Sequence, residues 1–178
     1  MTLEIRQTTM SDLKEILRVE EEAFGYKKEA ELTRDLLYDL TAEPRLSLLA
    51  FENGEAVGHI LFTAVHIPKT ELVCSIIAPL AVVHKAQKQG IGGKLIAAGL
   101  GMLKKSGVSI VFVLGHPMYY PKFGFIPVCP LPIDAPYPIP DEYSDAWMLQ
   151  VLDDTQLSSV AGTVVVSDEL SKPQHWRE

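Results

Sequence analysis

Apolar and polar positions follow two different periods along this chain, and the switches between them mark out its elements. Leu3-Glu4-Ile5-Arg6 alternates as a short strand does. Thr9-Met10-Ser11-Asp12 then fits the pattern that caps a helix start, and Leu13, Ile16, Leu17, Ala23 and Phe24 recur at roughly helical spacing. This predicts a first helix ending near Gly25. Leu32, Leu36, Leu37 and Leu40 predict a second, closed by Pro44. The apolar runs Leu48–Phe51 and Val57–Phe62 flank Asn53-Gly54, a dipeptide that accepts two positive φ angles, so a hairpin is expected there. Its second strand can continue to Ile67 before Pro68 stops it, and a third strand should cover roughly Leu72 to Val83.

Helical spacing returns with Ile91, Leu95, Ala98 and Met102 on one stripe, widened by Ile96, Leu100 and Leu103. Lys104-Lys105-Ser106-Gly107 places cations and a glycine at the helix's negative end. Ile110–Leu114 is a buried strand by length and β-branching. Pro127, Pro130, Pro132, Pro136, Pro138 and Pro140 exclude helix interior and central strand, which predicts an extended loop over about 127–140. Trp147–Leu152 and Gly162–Val166 read as closing strands, and the tail from about 171 to 178 is expected to fray. No internal repeat or second domain is visible, so residues 1–178 are read as one domain.

Composition narrows the function classes. With 47% hydrophobic residues the chain is globular, and its net charge of −7 argues against a nucleic-acid partner. Neither a membrane-span run nor a basic-then-apolar leader is present, so no membrane partner and a cytoplasmic location are expected. Cys74 and Cys129 form neither a disulfide framework nor a metal quartet and are read as reduced, buried packing residues. Histidines 59, 66, 84, 116 and 175 lack metal-ligand spacing, so no metal is expected.

The chemistry concentrates in Ala78–Leu103, where an apolar strand runs through a polar turn into glycines at a helix start. Unpaired N–H groups and the helix dipole make such a junction a phosphate-binding device. It is neither a G-x-x-x-x-G-K-[ST] loop nor a G-x-G-x-x-G loop, since Leu95 stands three residues after Gly92. Gln87, Gly90 and Gly92 instead form Q/R-x-x-G-x-G/A, which resembles the acetyl-coenzyme A site of the GNAT superfamily of N-acetyltransferases. Tyr120-Pro121-Lys122-Phe123-Gly124-Phe125 resembles that superfamily's later Y-x-x-x-G-F signature. The fuller LGHP-x-YY-x-x-FGF form, Leu114 to Phe125, is similar to an uncharacterised bacterial subgroup. The likeness covers roughly residues 1–127.

This resemblance implies an α/β layered fold with a mixed, mostly antiparallel twisted sheet, flanked by helices and splayed at the acetyl-CoA strand. It implies acetyl-CoA as acyl donor, with its pyrophosphate held by Gln87, Lys88, Gln89, Gly90, Ile91, Gly92, Gly93 and Lys94. Backbone groups of Ala81 and Val82 would meet the pantetheine arm, with His116 nearby. The widespread family pattern has asparagine and a longer helix in this region, so His116 is read as structural. Tyr120 would stand near the cofactor sulfur; a phenol of pKa about 10 stays protonated at neutral pH and can serve as general acid. The partner would be an amine acceptor, with Glu21, Glu22 and Tyr26 near its entrance and the proline-rich loop lying over the cleft. Glu21, Glu22, His59, His66 and a water chain all stand as candidates for the base. Cys74 as a nucleophile is a remote option. A non-catalytic coenzyme A sensor is the alternative reading, and exposed edge strands permit a homodimer.

Overall fold

Asn53 and Gly54 both adopt positive φ, 52° and 84°, and reverse the chain between two long strands. The computed structural model describes residues 2–176. In chain order it contains β1 (Leu3–Gln7), α1 (Leu13–Phe24), α2 (Lys28–Tyr38), β2 (Leu46–Glu52), β3 (Glu55–Val65), β4 (Cys74–Val82), α3 (Ile91–Lys105) and β5 (Ile110–Leu114). There follow β6 (Ile126–Pro127), β7 (Ile133–Asp134), β8 (Trp147–Val151) and β9 (Gly162–Thr163). Seven strands form one sheet in the order β1-β2-β3-β4-β5-β8-β6. Neighbours are antiparallel except β4 and β5, which are parallel and joined through α3.

The helices lie on opposite faces of this sheet, and two adjacent residues of β3 establish it. A β-carbon on Gly58 would meet Leu95 and Ile91 of α3. The next residue, His59, points the other way and meets Glu20 of α1. Gly99 of α3 leaves the space that the Phe62 ring fills, which draws the helix close to β3. Thr9 N–H donates to Asp12 Oδ2 at 2.8 Å at the start of the first helical segment. Gly25, left-handed at φ 76°, ends α1 as expected.

The C-terminal third departs from expectation. The strand anticipated over Gly162–Val166 is only Gly162–Thr163, and it pairs in parallel with β7, apart from the main sheet. Pro132 and Pro136 bracket β7 and limit the ladder it can offer. The tail does not fray through Trp176: that ring is 5% exposed, meets Trp147 edge-on at 5.9 Å and donates Nε1–H to Leu170 O at 2.8 Å. Residues 177–178 of the tail lie outside the described residues. Trp147 stacks on Phe112 at 5.0 Å, so the tail is anchored on the sheet's own core. Cys74 is buried, but Cys129 is exposed: the chain alternates at this edge, and it is Val128 that turns inward.

Candidate active site

Pairing between β4 and β5 runs from Cys74↔Ile110 to Ile77↔Val113 and stops. Two residues on stands Pro79, which has no N–H to offer, and the β3–β4 register shifts at the same place, between Ile60 and Phe62. β5 meanwhile stays with β8 to Leu114↔Trp147, and Gly115 N–H continues to Ala146 O at 2.9 Å. The two strands therefore diverge and leave a cavity of about 830 Å³. Its lining includes the start of α3 and also Phe24, Lys28, Glu29 and Leu32 of the α1–α2 region. Because those helices lie on opposite faces, the cavity passes through the sheet.

Lys88 (φ 63°) and Gly90 (φ 82°) turn the chain into α3. The turn's first i→i+4 bond is Lys94 N–H to Gly90 O, so the N–H groups of Ile91, Gly92 and Gly93 have no helical carbonyl to meet. Gln87 Nε2 donates to Val82 O at 2.9 Å and ties this loop back to β4. Aromatic side chains from the Tyr119–Phe123 turn close the opposite wall. Tyr119 stands against Gly92, Phe123 against Gly93 and Tyr120 against Gly115, each in space that a β-carbon would occupy. Among the described residues the lining carries Lys28, Lys88 and Lys122 against Glu29 as its one acidic residue, although the chain as a whole carries −7. The cavity is thus locally suited to an anionic ligand.

Val82, Gln87, Lys88, Gly90, Ile91, Gly92, Gly93, His116 and Tyr120 all line this cavity. Ala81, Gln89 and Lys94 do not: Ala81 is buried opposite His59, Gln89 turns back toward Lys85 O, and Lys94 points to solvent. Tyr120 is packed edge-on against Tyr119 and Phe125, and burial, with a smaller push from Tyr119, raises its phenol well above the usual value. His116 accepts from Met118 N–H at 3.1 Å through Nδ1, and its carbonyl receives Tyr119 N–H at 3.0 Å. Its imidazole shapes the turn that presents the two tyrosines.

The four residues considered for the base all lie elsewhere. Glu21 and Glu22 border a separate shallow depression, and Glu22 pairs with Arg18 at 3.2 Å. His59 is sealed in the core between Glu20 at 2.6 Å and Ser47 at 2.9 Å. His66 is exposed and bridges Val165. Tyr26 is also exposed and outside the lining; the 127–140 stretch likewise contributes nothing to the lining and packs inward through Val128, Ile133 and Ala135. Cys74 has no cavity access, and burial pushes its thiol up to about 12. In their place the structure brings Glu29 and His175 to the lining. Glu29 was legible in principle, since it stands three residues before Leu32 on the inward stripe of α2. Trp176, which carries His175 with it, gave no periodic signal.

Residues 4–128 match the acetyltransferase (GNAT) domain family. The chain is 48% identical over 149 residues to the uncharacterized N-acetyltransferase YjhQ of Escherichia coli K12, covering 82% of each. Among solved structures it resembles the GNAT-family N-acetyltransferase YhbS of Escherichia coli in complex with CoA, with TM-score 0.86, 28% identity, and 96% and 92% of the two chains covered. A GNAT-family acetyltransferase of Brucella melitensis in complex with acetyl-CoA matches with TM-score 0.73, 29% identity, and 95% and 98% covered. Among the described residues, no helix is long and apolar enough to cross a membrane.

Proposed function

The chain belongs to the GNAT family of acetyltransferases, and we propose that it moves an acetyl group from acetyl-CoA directly to a primary amine of a small molecule or peptide. The observation that carries this reading is the slot where β4 leaves β5, with the unpaired N–H groups of Ile91–Gly93 at one end and Tyr120 in its wall. A pyrophosphate fits the residues present. Gly90 leaves open space where a side chain would stand, and Lys88 and Lys122 supply charge. Gln87 holds the loop in that shape, and Leu80 and Val82 border the pantetheine path. Acetyl-CoA supplies an acetyl group activated as a thioester. Tyr120 Oη, kept protonated by its raised pKa, gives a proton to the departing sulfur as the C–N bond forms and the C–S bond breaks. The proton that the amine sheds returns to the phenolate through water. Cys74 has no part in this route. Both cysteines are free thiols, which suits a reducing compartment, and we place the protein in the cytoplasm as one domain.

Calorimetry with acetyl-CoA, followed by thiol release across a panel of amines, amino acids, aminoglycosides and peptides, tests the reading. Binding with turnover on one class is expected. Binding without turnover on any class would favour a coenzyme A sensor, and no binding would overturn the assignment of the α3 junction.

A further inference from the structure

Glu29 stands in the first turn of α2, in the part of the cavity lining opposite the cofactor loop. Its Oε2 is buried and meets no hydrogen-bond partner among the described residues. A buried acceptor left unmatched costs about 1–3 kcal/mol, a cost that a donor arriving with a ligand would offset. Phe24, Leu32, Leu170 and Trp176 supply apolar lining in the same cavity. Resting on the acetyltransferase reading, we propose that this end is the acceptor subsite, where the Glu29 carboxylate holds the ammonium group of a singly charged primary amine with an apolar body.

The neighbouring charges set the selectivity. Lys28 is the preceding residue and lines the same mouth, so a second cationic group on the acceptor meets repulsion. His175 lines the same cavity from the tail; burial lowers its pKa first, Lys28 and Lys172 lower it further against Glu169 and Asp35, and its Nδ1 meets no hydrogen-bond partner among the described residues. A polyamine satisfies the carboxylate but not Lys28, whereas an arylalkylamine satisfies both.

The test is calorimetric titration of β-phenylethylamine and of spermidine into the protein saturated with CoA, for wild type, Glu29→Gln and Lys28→Gln. Wild type should prefer β-phenylethylamine. Glu29→Gln should weaken its binding at least tenfold while acetyl-CoA affinity and melting temperature stay unchanged. Lys28→Gln should bring spermidine affinity closer to that of the arylalkylamine. Equal β-phenylethylamine affinity in wild type and Glu29→Gln, or a wild type that prefers spermidine or binds neither amine, overturns the proposal. A wild type that fails to bind acetyl-CoA overturns the functional reading instead.

Discussion

The hydroxyl of Tyr119 occupies the place where a β-carbon on Gly92 would stand. Gly90 and Gly92 are therefore glycines for different reasons. Gly90 needs its positive φ of 82°, with open space around it, whereas Gly92 needs the absence of a side chain so that Tyr119 can close over the helix start. Gly92→Ala should cost about 1–3 kcal/mol through overpacking and weaken acetyl-CoA binding about tenfold. The β-carbon's next contact, Tyr119 Cζ at 3.6 Å, is an ordinary one. Adding Tyr119→Phe to Gly92→Ala should accordingly restore most of the melting temperature and the affinity. Calorimetry on the two variants decides it, and a double variant no better than the single one counts against this contact.

Tyr120→Phe keeps the ring against Gly115 and Phe125 but removes the proton that the phenol would donate. Turnover should fall about 10²-fold or more, with acetyl-CoA affinity nearly intact. Tyr119→Phe, whose hydroxyl stands over the α3 junction, should change turnover far less. Single-turnover rates for the two variants, set beside their binding constants, separate the roles.

Trp176 holds the tail on Trp147 and closes one side of the cavity. Trp176→Ala removes a buried indole and its bond to Leu170 O, so a stability loss of about 3–5 kcal/mol is expected in denaturant titrations. The acceptor KM should rise more than the acetyl-CoA KM, because the tail packs beside α2 and away from the α3 junction.

Glu20 and His59 form a pair with no exposed surface beneath α1. Burial is the main cause that raises Glu20 above the ordinary carboxyl value of 4.5, with His59 opposing it. The folded state therefore holds the proton more tightly than the unfolded chain, and Glu20's contribution to stability falls as pH rises from 4.5 toward the raised value. Glu20→Gln, which can still meet the imidazole, should flatten the melting temperature against pH above 4.5. Glu20→Ala should lower it at every pH by leaving His59 Nδ1 unmatched. Scanning calorimetry between pH 4 and 8 gives the comparison.

The parts of the fold legible in the sequence were those whose periodicity is local. The Asn53-Gly54 hairpin, the helix beginning at Ile91 and the strand at Ile110–Leu114 stand where their patterns put them. The glycine loop and Tyr120 also came together in one cavity, because each lies within a few residues of a strand end that the pattern located. The C-terminal third was less legible. Its proline-rich course carries no period, and what holds it is a set of distant contacts such as Trp176 on Trp147 and Tyr137 Oη–H to Ser171 O. The base candidates lie elsewhere for a related reason: Glu21 and Glu22 are chemically apt but occupy the solvent side of α1, whereas Glu29, aligned with Leu32 on the inward stripe of α2, reaches the cavity.

The opening between β4 and β5 gives the molecule two doors. On the proposed reading, a cofactor seated at the α3 junction and an acceptor held beside α2 would enter the one cavity from opposite faces of the sheet and meet inside it. Each would then bind while the other is in place, and spent CoA would leave without waiting for the acetylated amine. CoA should then compete with acetyl-CoA but not with the amine, a pattern that steady-state inhibition plots reveal directly.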